Sequence, residues 1–378
     1  MRNIRRWASM ASALAIAVGI AACGGSSNSS SSSSSAAASP SASSSSSAAA
    51  PSGGSVTLTG AGSTLAAPIY QQWGSNLTSQ GLSVNYQATG SGGGVAQLQS
   101  GTVDFAGSDP PMKPAQIAAA KGPVQHFPIA FGAITVSYHL PGVKSGIKLD
   151  GKTVADIFLG KVKKWNDPEI KAANAGLSLP STAITVIHRS DSSGTTKGFT
   201  TFLSDYSPAW TAAAGKPDNI VKWPTGTGAK GNAGVAASIQ QTAGAIGYVD
   251  QAYALQSGLT FASVKNHGGQ FVAPTLPASS AAAVGIKVPP DLTVSTVNSP
   301  NPAAYPIVSQ TFVIAYKDVC KAGVSKAAAS GLKKFLTYGL GAGQAVEAKL
   351  GYAPLPASID KLDVAALGKL TCNGSPLS

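Results

Sequence analysis

Val56-Thr57-Leu58-Thr59-Gly60-Ala61-Gly62-Ser63-Thr64-Leu65-Ala66-Ala67-Pro68 is the stretch on which the fold turns. It opens as a β-prone run, breaks at Gly60 and Gly62, and reaches a proline where a helix tolerates one, near its first turn. A strand passing through a glycine turn into a helix is the repeating unit of an α/β protein. The unit recurs along the chain. Residues 68–77 complete the first pair; Ser83-Val84-Asn85-Tyr86 precedes a helical stretch over residues 95–99, and Ala183-Ile184-Thr185-Val186-Ile187 precedes one over residues 198–206. Two further strands are expected over residues 132–138 and 311–316, and no internal repeat is visible. From Ser55 onward the chain is long enough for two packed lobes.

The first residues have a different character. A basic start with Arg2, Arg5 and Arg6 leads into the apolar run 11–20, too short to span a membrane as a mature helix, and the run ends in Ile20-Ala21-Ala22-Cys23-Gly24. Residues 1–22 read as a lipoprotein signal peptide with Cys23 as the lipidated residue; an ordinary secretory signal with an incidental cysteine is the alternative. Residues 24–54 are almost wholly Ser, Ala, Gly and Pro. Such a segment buries too little apolar area to offset the entropy of ordering it, and it would serve as a tether spanning about 30 Å. The expected location is the outer face of the cytoplasmic membrane.

Removing Arg2, Arg5 and Arg6 takes the formal charge from +12 to +9. Apart from one arginine, the remaining cations are dispersed lysines, with no dense basic stripe interleaved with aromatics, so nucleic acid is not an expected partner. With Cys23 lipidated, Cys320 and Cys372 remain, and in an exported protein an even pair reads most simply as a disulfide; buried free thiols are the alternative. His126, His139, His188 and His267 show no ligand spacing with each other or with cysteine, so neither a metal nor another cofactor is expected.

Past residue 6 the chain holds one arginine, in His188-Arg189-Ser190-Asp191-Ser192-Ser193-Gly194-Thr195-Thr196-Lys197. A protein that otherwise uses lysine gains from a guanidinium where a planar, bidentate donor is needed, which points to an oxyanion. Three strand-to-helix junctions support that reading. At Gly60–Pro68, Ser63 or Thr64 can cap a helix; at Thr89-Gly90-Ser91-Gly92-Gly93-Gly94-Val95, Ser91 can do the same; Ser192-Ser193-Gly194-Thr195-Thr196 is the third. Any one of them alone also reads as an ordinary cap. Several helix N-termini converging would supply rigid N–H and O–H donors to a dehydrated anion.

The fourth element, Val103-Asp104-Phe105-Ala106-Gly107-Ser108-Asp109-Pro110-Pro111, places a carboxylate after a strand and before a proline pair. Alone, it could be a turn-capping Asp. In an oxyanion site a carboxylate makes sense only if the ligand has a proton to donate, as phosphate does near neutral pH and sulfate does not.

Taken together and in order, Gly60–Leu65, Gly90–Val95, Val103–Asp109, Lys163-Lys164-Trp165-Asn166-Asp167-Pro168, Arg189–Thr195 and Gly231-Asn232-Ala233-Gly234-Val235 resemble the phosphate-binding lipoproteins of bacterial ABC-type phosphate importers, the PstS-type family. The resemblance covers residues 56–356. It implies an α/β, two-lobed Venus-flytrap periplasmic-binding-protein fold (type II) with a ligand cleft between lobes, one lobe from residues 55–134 plus 305–378 and the other from 135–304. It implies phosphate held by Thr64, Leu65, Ser91, Asp109, Arg189, Ser193, Gly194 and Thr195, with Asp191 orienting Arg189 and Asp109 as proton acceptor. It also implies a monomer that captures inorganic phosphate outside the cytoplasm and delivers it to membrane permease subunits, with no catalysis. Two positions depart from the family pattern: Leu65 stands where Phe is usual, and Gly92 where Ser is usual.

Rival readings are a nucleotide enzyme, an exported phosphatase, and a binder of sulfate, molybdate or another oxyanion. Gly226-Thr227-Gly228-Ala229-Lys230-Gly231 has the GxGxxG form with Asp250 downstream, but the preceding Asn219-Ile220-Val221-Lys222-Trp223-Pro224 is a poor buried strand. No P-loop, metal-ligand cluster or GxSxG elbow is present. Asp109 argues against sulfate.

Overall fold

The computed structural model describes residues 55–377, so the expected signal peptide, Cys23 and the tether lie outside the described residues. Among the described residues the strands of the main sheet are β1 (Val56–Gly62), β2 (Leu82–Gln87), β3 (Phe105–Ser108), β4 (Val124–His139), β5 (Thr185–Arg189), β6 (Thr227–Ala229), β7 (Ala245–Asp250), β8 (Thr260–Phe261) and β9 (Val308–Tyr316). They form one nine-stranded sheet in the order β2-β1-β3-β9-β4-β7-β5-β6, with β8 also against β4. β1 lies parallel to β2 and β3, and β5 lies parallel to β6 and β7. β9 runs antiparallel to both β3 and β4.

β4 joins the two halves of this sheet. Residues 124–133 pair with β9 and residues 134–139 pair with β7. The strand is longer than its sequence suggests, because it continues back through Pro128, a residue that normally argues against a central strand. The pairing jumps from Thr311 opposite Ala130 to Phe312 opposite Pro128, a bulge at the residue that has no N–H to give. Sequence periodicity alone starts this strand at Gly132.

Helices follow the parallel strands: α1 (Ala67–Leu77), α2 (Ser91–Ser100), α3 (Gly194–Tyr206), α4 (Gly231–Gln241), α5 (Gln251–Gln256) and, near the C-terminus, α6 (Lys326–Gly339). In α1, Ile69, Tyr70, Trp73 and Leu77 make one buried stripe. Tyr70 lies edge-on to Phe105 at 5.7 Å between ring centroids, and Trp73 to Phe335 of α6 at 5.3 Å. A second aromatic cluster stacks Phe199 of α3 on Tyr248 of β7 at 4.3 Å, with Phe158 beyond. Each fully buried aromatic contributes about 2–3 kcal/mol of transfer free energy, so these clusters lock the helices to their half of the sheet. Cys320 and Cys372 form a disulfide that closes a C-terminal loop of 52 residues.

The topology fixes where chemistry can sit. In open α/β sheets, ligands bind beyond the carboxyl ends of the strands, where the helix N-termini gather. The ends of β1, β3 and β5 are Gly62, Ser108 and Arg189, and Thr64, Asp109 and Ser193 follow within a few residues.

Candidate functional site

Asp109, the first residue after β3, is 1% exposed. Its Oδ1 accepts hydrogen bonds from Ser63 Oγ and from Thr311 Oγ1 (3.0 Å). Its Oδ2 has only the long 3.5 Å contact with Ser91 Oγ. Burial drives the Asp109 pKa up; hydrogen bonds from Ser63 and Thr311, the Arg189 charge and Ser91 pull it back, leaving it at about 6. Near neutral pH the group is mostly ionised, with one oxygen committed to the protein and one turned to other partners.

Ser91 opens α2, but its hydroxyl does not cap that helix, contrary to the expectation from its position. It accepts instead from the backbone N–H of Asp109 and of Gly194, each at 3.2 Å, and so ties the loop after β3 to the start of α3. At the first junction the capping expectation also fails. The N-cap of α1 is Ala66, with no side-chain cap. Ser63 Oγ closes the turn ahead of the helix by accepting from Ala66 N (3.1 Å), and Thr64 Oγ1 accepts from Asn232 Nδ2 at 2.9 Å. At the third junction the expectation holds, Ser193 capping α3 by accepting from Thr196 N at 3.1 Å.

Arg189 ends β5 and is 3% exposed. Its Nε donates to Asp191 Oδ1 at 2.7 Å, its Nη2 donates to Oδ2, and its Nη1 reaches Thr195 Oγ1 at 3.4 Å. Asp191 also accepts from Gly231 N at 3.0 Å. Burial would raise the Asp191 pKa, but the Arg189 hydrogen bonds and charge outweigh it and hold the carboxyl below its usual value. The fork is thereby held rigid, leaving Nη1 as the arm that is not committed to Asp191.

The same contacts bring the expected residues into one cluster. Asn232, fully buried at the start of α4, donates through Nδ2 to Thr64 Oγ1 and, at 3.3 Å, to Thr195 Oγ1. A Cβ on Gly194 would lie 2.5 Å from both Asp109 Oδ2 and Ser91 Oγ, so only glycine allows this approach. Leu65 is buried beside Thr64, and its carbonyl accepts from Tyr352 Oη at 2.7 Å. Gly92 has a specific neighbour: a Cβ there would come 1.9 Å from Ser192 Oγ. Residues that sequence reasoning did not assign to the site are Asn232, Thr311, Tyr253, Tyr352 and Asp250. Asn232 lay within a quoted motif and Asp250 appeared only as the acid of a weak nucleotide motif; Thr311, Tyr253 and Tyr352 make their contacts here across large sequence separations. Among the described residues no group of three or more His, Cys, Asp or Glu could hold a metal ion.

Comparison with known proteins bears on this cluster. The profile of the PBP superfamily domain matches residues 31–342. The phosphate-binding protein PstS of Pasteurella multocida is 41% identical over 307 residues, covering 80% of this chain and 87% of its own. That of Haemophilus influenzae is also 41% identical, covering 80% of this chain and 90% of its own. The chain belongs to the PstS family. Its fold is the two-lobed α/β architecture of the PBP superfamily, also seen in the phosphate-bound, high-affinity periplasmic phosphate-binding protein PfluDING, which is 22% identical with a TM-score of 0.69 over 85% of this chain and 96% of that one. In this PstS chain, β4 and β9 run side by side where the two half-sheets join.

Proposed function

We propose that the protein captures inorganic phosphate outside the cytoplasm and delivers it to the permease of an ABC-type phosphate importer. The observation that carries this reading is Asp109: a buried carboxylate whose Oδ2 has only a long contact with Ser91 Oγ and whose pKa the Arg189 charge lowers, which suits an anion bringing its own proton. Thr64 hydroxyl and amide, the Leu65 amide, Ser91 hydroxyl, Ser193 and the Gly194 and Thr195 amides supply neutral hydrogen bonds. Arg189, held by Asp191, supplies the charged ones. Asp109 Oδ2 accepts the phosphate proton.

We assign one lobe to residues 55–134 plus 305–378 and the other to 135–304. The change of partner along β4, from β9 up to Ala133 to β7 from Ile134, supports that boundary. Phosphate would then bridge Thr64, Ser91 and Asp109 on one lobe to Arg189 and the α3 N-terminus on the other, closing a hinge. Cys23 is the proposed lipid anchor, the protein acts as a monomer, and binding proceeds without turnover. The test is direct: denature purified protein and assay released phosphate, then titrate phosphate and sulfate by calorimetry. Retained phosphate and exclusion of sulfate are expected; hydrolysis of phosphate esters, or preference for sulfate or molybdate, would replace this reading.

A further inference from the structure

Asp250 ends β7, far from Asp109 in sequence, and is fully buried. Its Oδ1 accepts from Ala252 N at 3.0 Å and lies 2.8 Å from Tyr352 Oη. Its Oδ2 has no hydrogen-bond partner and rests against β4, where a Cβ on Gly132 would come within 2.7 Å of it. Tyr352 is itself buried and held to β4 by paired backbone bonds between Ala353 and Phe131, each 2.9 Å.

A donor count decides the protonation state. Tyr352 Oη lies 2.7 Å from Leu65 O and 2.8 Å from Asp250 Oδ1. A phenol has one proton and a carbonyl oxygen has none. Both contacts are hydrogen bonds only if Asp250 brings the second proton and donates it to Tyr352. An ionised Asp250 would instead leave a buried charge with one oxygen unsatisfied, and no described lysine, arginine or histidine forms an ion pair with it.

From Asp250 the donors all run one way. With the proton on Asp250, its O–H donates to Tyr352 and Tyr352 O–H to Leu65 C=O; the Ala66 N–H of that same planar peptide donates to Ser63 Oγ, and Ser63 O–H donates to Asp109 Oδ1. Beside it, Tyr253 Oη donates at 2.8 Å to Thr64 C=O, the other face of the peptide that carries the Leu65 N–H. Hydrogen bonds in such a chain polarise one another.

We propose that Asp250 is kept as a neutral carboxylic acid and, through Tyr352, positions the Leu65–Ala66 peptide and Ser63 so that Asp109 Oδ1 is occupied and its Oδ2 is the oxygen left for the ligand proton. Asp250 and Tyr352 are positioning residues; neither touches the ligand. Burial supports this, raising the Asp250 pKa to about 8 against the Tyr352 contact and the Ala252 N–H bond, with the Asp109 charge also raising it. The titratable groups facing it are Tyr352, Tyr253 and Asp109.

The assignment of Oδ2 rests on the phosphate reading, but the protonation of Asp250 does not. Infrared difference spectra between wild type and Asp250→Asn, ligand-free at pH 7, should show a protonated-carboxyl C=O band that the variant lacks; the difference is needed because burial also raises Glu347 and Asp363. Absence of that band overturns the proposal. In wild type alone the band should fade as pH rises past about 8, so the result does not depend on a variant that folds. Phosphate titrations follow. Tyr352→Phe keeps the ring and should weaken phosphate binding about tenfold, and adding Asp250→Asn should weaken it little further, because both break one chain. Independent, additive losses, or no loss in Tyr352→Phe, would refute the relay. Wild type that holds no phosphate, yet shows the band, would remove the phosphate reading and leave the state of Asp250 established.

Discussion

Selectivity against sulfate should depend on the proton at Asp109. Sulfate is fully ionised across the working range, so with Asp109 ionised a sulfate oxygen would face Oδ2 with no hydrogen between them. Leaving a charged acceptor unpaired in a buried site costs about 3 kcal/mol or more, about a hundredfold in affinity. The group titrates at about 6, so it is protonated in about one molecule in a hundred at pH 8 and in about nine in ten at pH 5. Protonated Asp109 can donate to sulfate. Sulfate affinity should therefore rise about tenfold per pH unit from pH 8 down to about 6 and then level off, while Asp109→Asn should bind sulfate about a hundredfold more tightly at pH 8 and lose the pH dependence. Phosphate affinity should change much less in the same variant. Because the folded value lies above the usual 3.8, the stability Asp109 contributes to the ligand-free protein is fully present below about pH 4 and lost as pH rises through 6. Sulfate affinities should accordingly be compared on samples shown to be folded at each pH. Competition calorimetry giving a flat sulfate affinity between pH 5 and 8, unaltered by Asp109→Asn, would refute the reasoning.

Arg189→Lys should weaken phosphate binding by about ten- to a hundredfold, since a point charge cannot hold Asp191 and reach toward Thr195 with one rigid fork; unchanged affinity by calorimetry would contradict that role. Gly92→Ser should destabilise by about 1–3 kcal/mol because its Cβ meets Ser192 Oγ, and Gly92→Ser with Ser192→Ala should recover part of that in urea unfolding. Reducing the Cys320–Cys372 disulfide should lower unfolding free energy by about 4 kcal/mol from the chain-entropy of a 52-residue loop, read as a lower urea midpoint; an unchanged midpoint would count against the estimate.

The parts of this site that could be read from sequence are those whose chemistry is local. Arg189, Asp191 and Ser193 lie within five residues, and the Arg189–Asp191 and Thr196–Ser193 hydrogen bonds follow from side-chain reach along a short segment. Ser63 and Ser91 were misread for the same reason. A hydroxyl near a helix start is expected to cap it, yet Ser91 answers to Gly194, 103 residues away, and Ser63 to Asp109, 46 residues away. Pro128 hid the first half of β4, since the bulge that accommodates it is a property of the pairing with β9 and not of β4. Asp250 was visible only as the acid of a weak nucleotide motif. Its burial against Gly132 and Tyr352 is a tertiary fact.

Asp109 and Asp250, two of the buried carboxyls among the described residues, have opposite tasks, and their surroundings explain why. Asp109 is surrounded by donors, Ser63, Thr311, Ser91 and the Arg189 charge, and these hold its pKa to about 6 despite complete burial. Asp250 has a backbone N–H and a tyrosine whose only proton is also claimed by Leu65 O, and its second oxygen has no partner, so burial dominates and carries it to about 8. One environment favours an anion that accepts a proton and the other favours an acid that donates one. A chain of hydrogen bonds running from the acid to the anion keeps a single direction only while those states differ. If Asp250 were ionised instead, the Tyr352 O–H would turn to it and leave Leu65 O without that donor, so the difference between the two sites supports the geometry that leaves Asp109 Oδ2 for the ligand.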